Sequence, residues 1–166
     1  APSANRFGHV SPTTAAAVVE ELADYLSKDD LVLDGGACAV GVESTIIDCT
    51  GLLPRVLRPG AISTAMIEEV TGLKVVSVDG WDEIRVSGSL ENHYSPAAKV
   101  LLCETPEPGQ GFIALARIQT PNDVIRLASP RDDEEFAQIL YSALRAADAK
   151  GLSEVVVVQP IGIGIA

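Results

Sequence analysis

Val18, Val19, Leu22 and Leu26 recur on one face of residues 11–26, with Ser11 placed to cap and Pro12 at the first helical position. That spacing predicts an amphipathic helix. Leu31-Val32-Leu33 runs into Asp34-Gly35-Gly36 and predicts a short buried strand closed by a turn. Thr- and Ile-rich residues 43–50, a turn at Gly51 to Pro54, and Arg55-Val56-Leu57-Arg58 predict a β-hairpin. Pro59-Gly60 breaks it, Ser63 caps a helix that stops at Gly72, and residues 73–78 predict a further apolar strand.

Periodicity then lapses from Asp79 to Pro96, where Gly, Ser, Asn and Pro accumulate, and a linker is predicted. The pattern restarts with strands at 99–103, 111–116 and 123–127. Residues 132–149 predict a strong amphipathic helix, with Phe136, Ile139, Leu140, Leu144 and Ala147 on one side, and Glu154 to Gln159 a Val-rich strand. Alternating strands and helices predict an α/β fold in three parts: 1–78, a linker at 79–96, and a small Rossmann-like layer domain at 97–166. Ile161 to Ala166 reads as an element left unfinished, and Ala1-Pro2-Ser3-Ala4-Asn5 as a polar turn from inside a longer chain.

Composition narrows the function classes. Aromatic residues are only 4% of the 166, so the core must be built from Val, Ile, Leu and Ala. The net charge of −11 is spread evenly along the chain and repels phosphate backbones, which disfavours direct nucleic-acid binding. Cys38, Cys49 and Cys103 are odd in number and lack C-x-x-C spacing, so they read as reduced thiols of a cytoplasmic protein. No apolar run approaches the roughly 20 residues of a membrane span, and the opening residues do not read as a signal peptide.

Four polar signatures sit at predicted element boundaries: Pro2-Ser3-Ala4-Asn5, Glu43-Ser44-Thr45-Ile46, Leu57-Arg58-Pro59-Gly60 and His93-Tyr94-Ser95-Pro96. Each alone has a bland reading. Ser-x-Asn is a common turn, Glu-Ser-Thr an exposed strand edge, Arg before Pro-Gly a solvated strand end, and His-Tyr a linker clasp.

Together with Ser11-Pro12-Thr13-Thr14 and Leu33-Asp34-Gly35-Gly36, and in this order, the sequence resembles the YrdC-like family of threonylcarbamoyl-AMP synthases. The similarity is to the long form, which carries a linker and an extra C-terminal domain. It is strong over residues 1–96 and looser beyond. The resemblance implies the second half of a YrdC-like mixed, twisted sheet, and a parent enzyme that makes threonylcarbamoyl-AMP from L-threonine, bicarbonate and ATP with Mg²⁺, for tRNA modification. It implies nucleotide contacts at Ser3, Asn5, Ser11 and Arg58, with Ser11 at a helix N-terminus, and a lid over ATP at His93 and Tyr94. It implies threonine contacts at Ala1 and Ser44. It implies no covalent enzyme nucleophile, no catalytic residue in that sense and no protein-held metal.

The sequence also departs from that family. The family's first half, with its Lys-x-Arg phosphate clamp, has no counterpart here, so the chain is expected to be inactive alone and to self-associate through uncovered strand edges. Val86-Ser87-Gly88-Ser89 stands where the family has Pro-Gly-Met, and Glu91 and Asn92 where it is often basic, which bears on the lid. Two other readings compete. One is a carbamoyl-adenylate-forming carbamoyltransferase domain, whose companion zinc modules have no ligand spacing here. The other is a non-catalytic regulatory module that uses the acidic helix 132–149.

Overall fold

The computed structural model describes residues 3–77, 95–103 and 105–161. Ala1, Pro2, His93, Tyr94, nearly all of the predicted linker, and the Gly-rich end from 162 lie outside the described residues. Among the described residues no helix is long and apolar enough to cross a membrane.

Helix α1 spans Ala15–Leu22 and is shorter than the periodicity predicts at both ends. Its cap is Thr14, whose side chain accepts from the Ala17 amide, and not Ser11. The reason is local. Pro12 disfavours helical backbone at the residue before it, and the Ser11 hydroxyl is committed elsewhere, to Glu43. The expectation of Ser11 at a helix N-terminus is therefore corrected: it lies in the irregular segment before α1.

The segment at Leu31–Leu33 is not a strand. Both leucines are 81% exposed, and no ladder partner for them occurs among the described residues. An apolar triplet next to a turn meets the local rule for a strand, but a strand also needs a neighbouring edge.

The hairpin forms as predicted, with shorter arms: β1 (Ile46–Asp48) pairs antiparallel with β2 (Arg55–Arg58). Helix α2 (Thr64–Thr71) follows, with Ser63 capping the Met66 amide and Gly72 as the C-cap. It carries the chain to β3 (Val76–Ser77), which joins β2 in parallel. The result is a three-stranded sheet in the order β1-β2-β3.

The second sheet is wholly parallel. Its strands are β4 (Lys99–Leu102), β5 (Gly111–Ile113), β6 (Ile125–Ala128) and β7 (Glu154–Val157), in the order β4-β7-β5-β6. Helix α3 (Asp133–Ala149) makes the crossover from β6 to β7. Asp132 caps it by accepting from the Glu135 amide, and Asp133, Glu134 and Glu135 in the first turn suit the positive end of the helix dipole. Its apolar face places Phe136, Leu144 and Ala147 against Ile113, Leu115, Val155 and Val157. Burying each large member of this set is worth about 1.5–3 kcal/mol. Val10, far away in sequence, packs into the same cluster and ties the N-terminal segment to the parallel sheet.

Candidate functional site

Two of the four sequence signatures meet at the head of the hairpin. Arg58, 8% exposed at the end of β2, donates from Nε and Nη2 to the Ser44 carbonyl at 3.0 and 2.7 Å. The same Nη2 donates to Ser44 Oγ at 3.1 Å and lies 3.9 Å from Glu43 Oε2. The other Glu43 oxygen accepts from Ser11 Oγ at 2.5 Å. A planar, charged fork on a carbonyl and a hydroxyl fixes both partners at once. Ser44 Oγ is thereby an acceptor toward the guanidinium, which leaves its proton to donate in another direction.

Backbone packing holds this constellation in register. A Cβ added at Gly60 would lie 2.4 Å from the Glu43 carbonyl and 2.5 Å from the Thr45 amide nitrogen, so only glycine allows the two segments to approach so closely. Thr45 Oγ1 donates to the Ile62 carbonyl at 2.7 Å and accepts from the Ile62 amide at 3.0 Å. Glu43-Ser44-Thr45 and Leu57-Arg58-Pro59-Gly60 are therefore two walls of one feature.

The first signature forms its own device. Ala4 has φ 55°, a left-handed conformation that an alanine adopts at a cost. Side-chain bonds keep it there: Ser3 Oγ donates to Asn5 Oδ1 at 2.5 Å, and Asn5 Nδ2 donates to the carbonyls of Arg6 and His9 at 3.1 and 2.8 Å. Asn5 therefore acts as the brace of the turn. The strain lies between the two residues that the sequence singled out.

That turn is anchored by a residue the sequence reading missed. Glu21 on α1 has a side chain only 4% exposed, and its Oε1 accepts from both the amide and Nε of Arg6, at 3.2 and 3.1 Å. Oε2 accepts from Arg145 on α3 at 2.8 Å, and His9 Nδ1 lies 3.2 Å from Oε1. Burial pushes this carboxyl up, but the hydrogen bonds from Arg145 and Arg6, with His9 nearby, outweigh it and hold the group below its usual range. Arg145 also reaches the carbonyls of Val10 and Ala17 and the carboxylate of Glu20. Arg6 and Arg145 are 139 positions apart, and only a buried acid between two apolar turns of α1 hinted at the link. A cavity of about 420 Å³ opens beside this hub, between Arg6, His9, Glu21, Pro96, Arg145 and Asp148.

The fourth signature reaches the described residues only at Ser95-Pro96. The Ser95 amide donates to the Gly8 carbonyl at 2.9 Å, so the chain that follows His93 and Tyr94 is fastened to the Ser3–His9 turn. Among the described residues the structure thus joins Ser11, Ser44 and Arg58 through Glu43. Ser3 and Asn5 sit in a separate, braced turn. Ala1, His93 and Tyr94 lie outside the described residues.

Residues 62–166 match the family model described as "Threonylcarbamoyl-AMP synthase, C-terminal domain", and residues 1–60 match the one described as "Telomere recombination". The threonylcarbamoyl-AMP synthase of Pyrococcus abyssi is 34% identical over 187 aligned residues, covering 100% of this chain and 54% of that protein. The Bacillus subtilis enzyme of the same name is 38% identical over 68% of this chain and 33% of its own length. The Schizosaccharomyces pombe protein is 39% identical over 61% of this chain and 26% of its own length. The chain therefore spans about half the length of the P. abyssi relative and less of the others. Among solved structures, P. abyssi Sua5 complexed with L-threonine superposes with a TM-score of 0.77 at 30% identity, over 99% of this chain and 53% of that one. A variant of the same protein, with a His and the neighbouring Tyr both replaced by Ala, superposes with a TM-score of 0.69 at 28% identity. With a family model matched over more than half of its length, and a solved relative that superposes over 99% of it, the chain belongs to the threonylcarbamoyl-AMP synthase family.

Proposed function

We propose that this chain carries one wall of the active site of an L-threonylcarbamoyladenylate synthase, a nucleotidyltransferase that serves tRNA threonylcarbamoyladenosine formation in the cytoplasm. In that reaction the amine of L-threonine condenses with bicarbonate to a carbamate, with loss of water. A carbamate oxygen then attacks the α-phosphate of ATP, the bond to the β-phosphate bridge breaks, and pyrophosphate leaves. Mg²⁺ accompanies the phosphates of ATP as part of that substrate. The protein supplies position and charge.

The observation that carries this reading is the clasp of Arg58 on Ser44, backed by Glu43 and Ser11. It unites the residue proposed to hold threonine with the one proposed to reach the nucleotide, in a chain that superposes on a threonine-bound relative. Ser3 and Asn5 supply further nucleotide contacts, and Ala1 a further threonine contact. His93 and Tyr94 act as the lid, a role supported by the anchorage of the nearby Ser95 to Gly8. The domains follow as 1–78 for the catalytic part, 79–96 for the linker and 97–166 for the small α/β domain.

The cations of the first part are largely committed. Arg6 is paired with Glu21, Arg55 with Asp48, Arg58 with Ser44 and Glu43, and Lys74 with Glu68. A triphosphate needs positive charge that these pairs do not release, so this chain by itself should bind its substrates without turning them over. Calorimetric titration is expected to show weak ATP binding that L-threonine strengthens, and Arg58→Ala should abolish the enhancement. Pyrophosphate release should stay at background. No binding of either ligand would overturn the site. Turnover comparable to that of a complete synthase would overturn the claim of incompleteness.

A further inference from the structure

The strands of the second sheet are all parallel, so their carboxyl ends emerge on one edge. Ligands of open α/β sheets bind in the crevice beyond such an edge. Here a cavity of about 440 Å³ lies there, lined by Thr105 after β4, by Leu115, Arg117 and Ile118 after β5, and by Val158 and Gln159 after β7. It is remote in sequence from the Ser44–Arg58 constellation. Its size falls within the usual range for small-molecule sites.

Charge and rigidity single this cavity out. The chain has 23 acidic residues, yet among the described residues that line the cavity none is acidic, and one is a cation. Arg117 is exposed and makes no hydrogen bond or ion pair among the described residues, unlike Arg6, Arg55, Arg58, Arg131 and Arg145. The loop that presents it is braced by Arg126. That guanidinium stacks on Phe112, 4.8 Å from the ring centre, and donates to the carbonyls of Ala114, Leu115, Ile118 and Ala128 at 2.5, 3.0, 3.1 and 2.6 Å. Ala116 adds a bond from its amide to the Pro130 carbonyl at 2.7 Å. A half-buried arginine that satisfies four carbonyls fixes the loop and holds its neighbour Arg117 at the rim of the cavity.

We propose that this crevice is a binding site for a small organic anion of the nucleoside monophosphate class. Arg117 pairs with the single anionic group, Gln159 and Thr105 hydrogen-bond the polar edge, and Leu115, Ile118 and Val158 receive the flat apolar body. A single guanidinium without a partner among the described residues suits one phosphate and not a triphosphate. The assignment does not depend on the synthase reading of the first part.

The test is titration of the ¹⁵N-labelled chain with AMP, with adenosine and inorganic phosphate as separate arms. AMP should shift the amides of residues 115–118 and 158–159 with saturation, and more tightly than either fragment. Arg117→Gln should weaken AMP by about tenfold or more, as expected for loss of a charge-assisted contact. Gln159→Ala should weaken it less, and both variants should keep the wild-type circular dichroism. The proposal is overturned if AMP gives no saturable shifts there, or shifts only residues 3–11 and 43–60. It is equally overturned if phosphate alone binds as well as AMP, or if Arg117→Gln leaves the affinity unchanged.

Discussion

At the scale of single residues, charge geometry decides what the hairpin can do. Asp48 at the end of β1 accepts from Thr50 Oγ1 and the Thr50 amide at 2.7 and 2.9 Å, and from Arg55 at 2.8 Å. The Thr50 side-chain bond, the Thr50 amide and Arg55, in that order, bring its pKa down to about 2. A carboxyl whose folded pKa is depressed adds stability that is present above its unfolded value of about 3.9 and is lost as pH falls through the folded one. Acid unfolding should therefore steepen for the native chain between those two values. Asp48→Asn should remove that part of the pH dependence and leave the profile above about pH 5 parallel to wild type. A variant with an unchanged acid limb, followed by circular dichroism, would contradict the assignment. Asp48 was legible only as a residue within the predicted strand 43–50, and Arg55 only as the start of the strand after the turn. Their pairing follows from the antiparallel register, which places them opposite each other.

Elements add what no single residue can. α1 and α3 are joined through Glu21, which holds both Arg6 and Arg145, and the loop that follows α1 also comes close to α3: a Cβ on Gly41 would lie 1.9 Å from the Gln138 carbonyl. Removing the charge of a buried acid that holds two arginines costs about 3 kcal/mol when partners are left unmatched. Glu21→Gln should therefore lower stability by roughly that amount. Hydrogen exchange should show where the loss falls, with residues 15–22 losing protection while 133–149 keep theirs. Equal loss in both helices, or none, would remove Glu21 from this role. The elements themselves were largely readable. α2 with its Ser63 cap, α3 with its apolar face, the hairpin and the strands of the parallel sheet follow from local pattern. Two failures share one cause. Leu31-Val32-Leu33 has no neighbouring edge among the described residues, and Ser11 is drawn to Glu43, 32 residues away. Neither a missing edge nor a distant acid is visible in local spacing. For the same reason the motif order suggested Ser44 and Arg58 but gave no sign of Glu43 as the bridge between Ser11 and Arg58.

At the scale of the whole molecule, the core is one-sided. Among the described residues, Val10 and Ile67 are the only buried hydrophobic side chains before Ala98, and Val10 belongs to the cluster under the parallel sheet. Every other one, from Ala98 to Val157, builds the second sheet and its helix. The first sheet has three short strands and leaves Phe7, Tyr25, Leu31, Leu33, Leu52 and Val70 between 71% and 99% exposed. Apolar side chains and open strand edges of this kind attract a covering polypeptide. Opposing this, a net charge of −11 drives copies apart over a range that salt shortens. The two effects make a joint prediction. Sedimentation velocity should show association that grows with protein concentration and strengthens as salt is added, because screening removes the repulsion and leaves the apolar attraction. Leu31→Asp combined with Leu33→Asp should weaken it at every salt concentration while the α3 signal in circular dichroism is retained, since neither leucine belongs to the core cluster. A monomer at all concentrations in high salt would show that the exposed leucines are not an associating surface. Association that weakened with salt would instead assign it to charge pairs such as those of Arg131 and Lys74, which lie open to solvent.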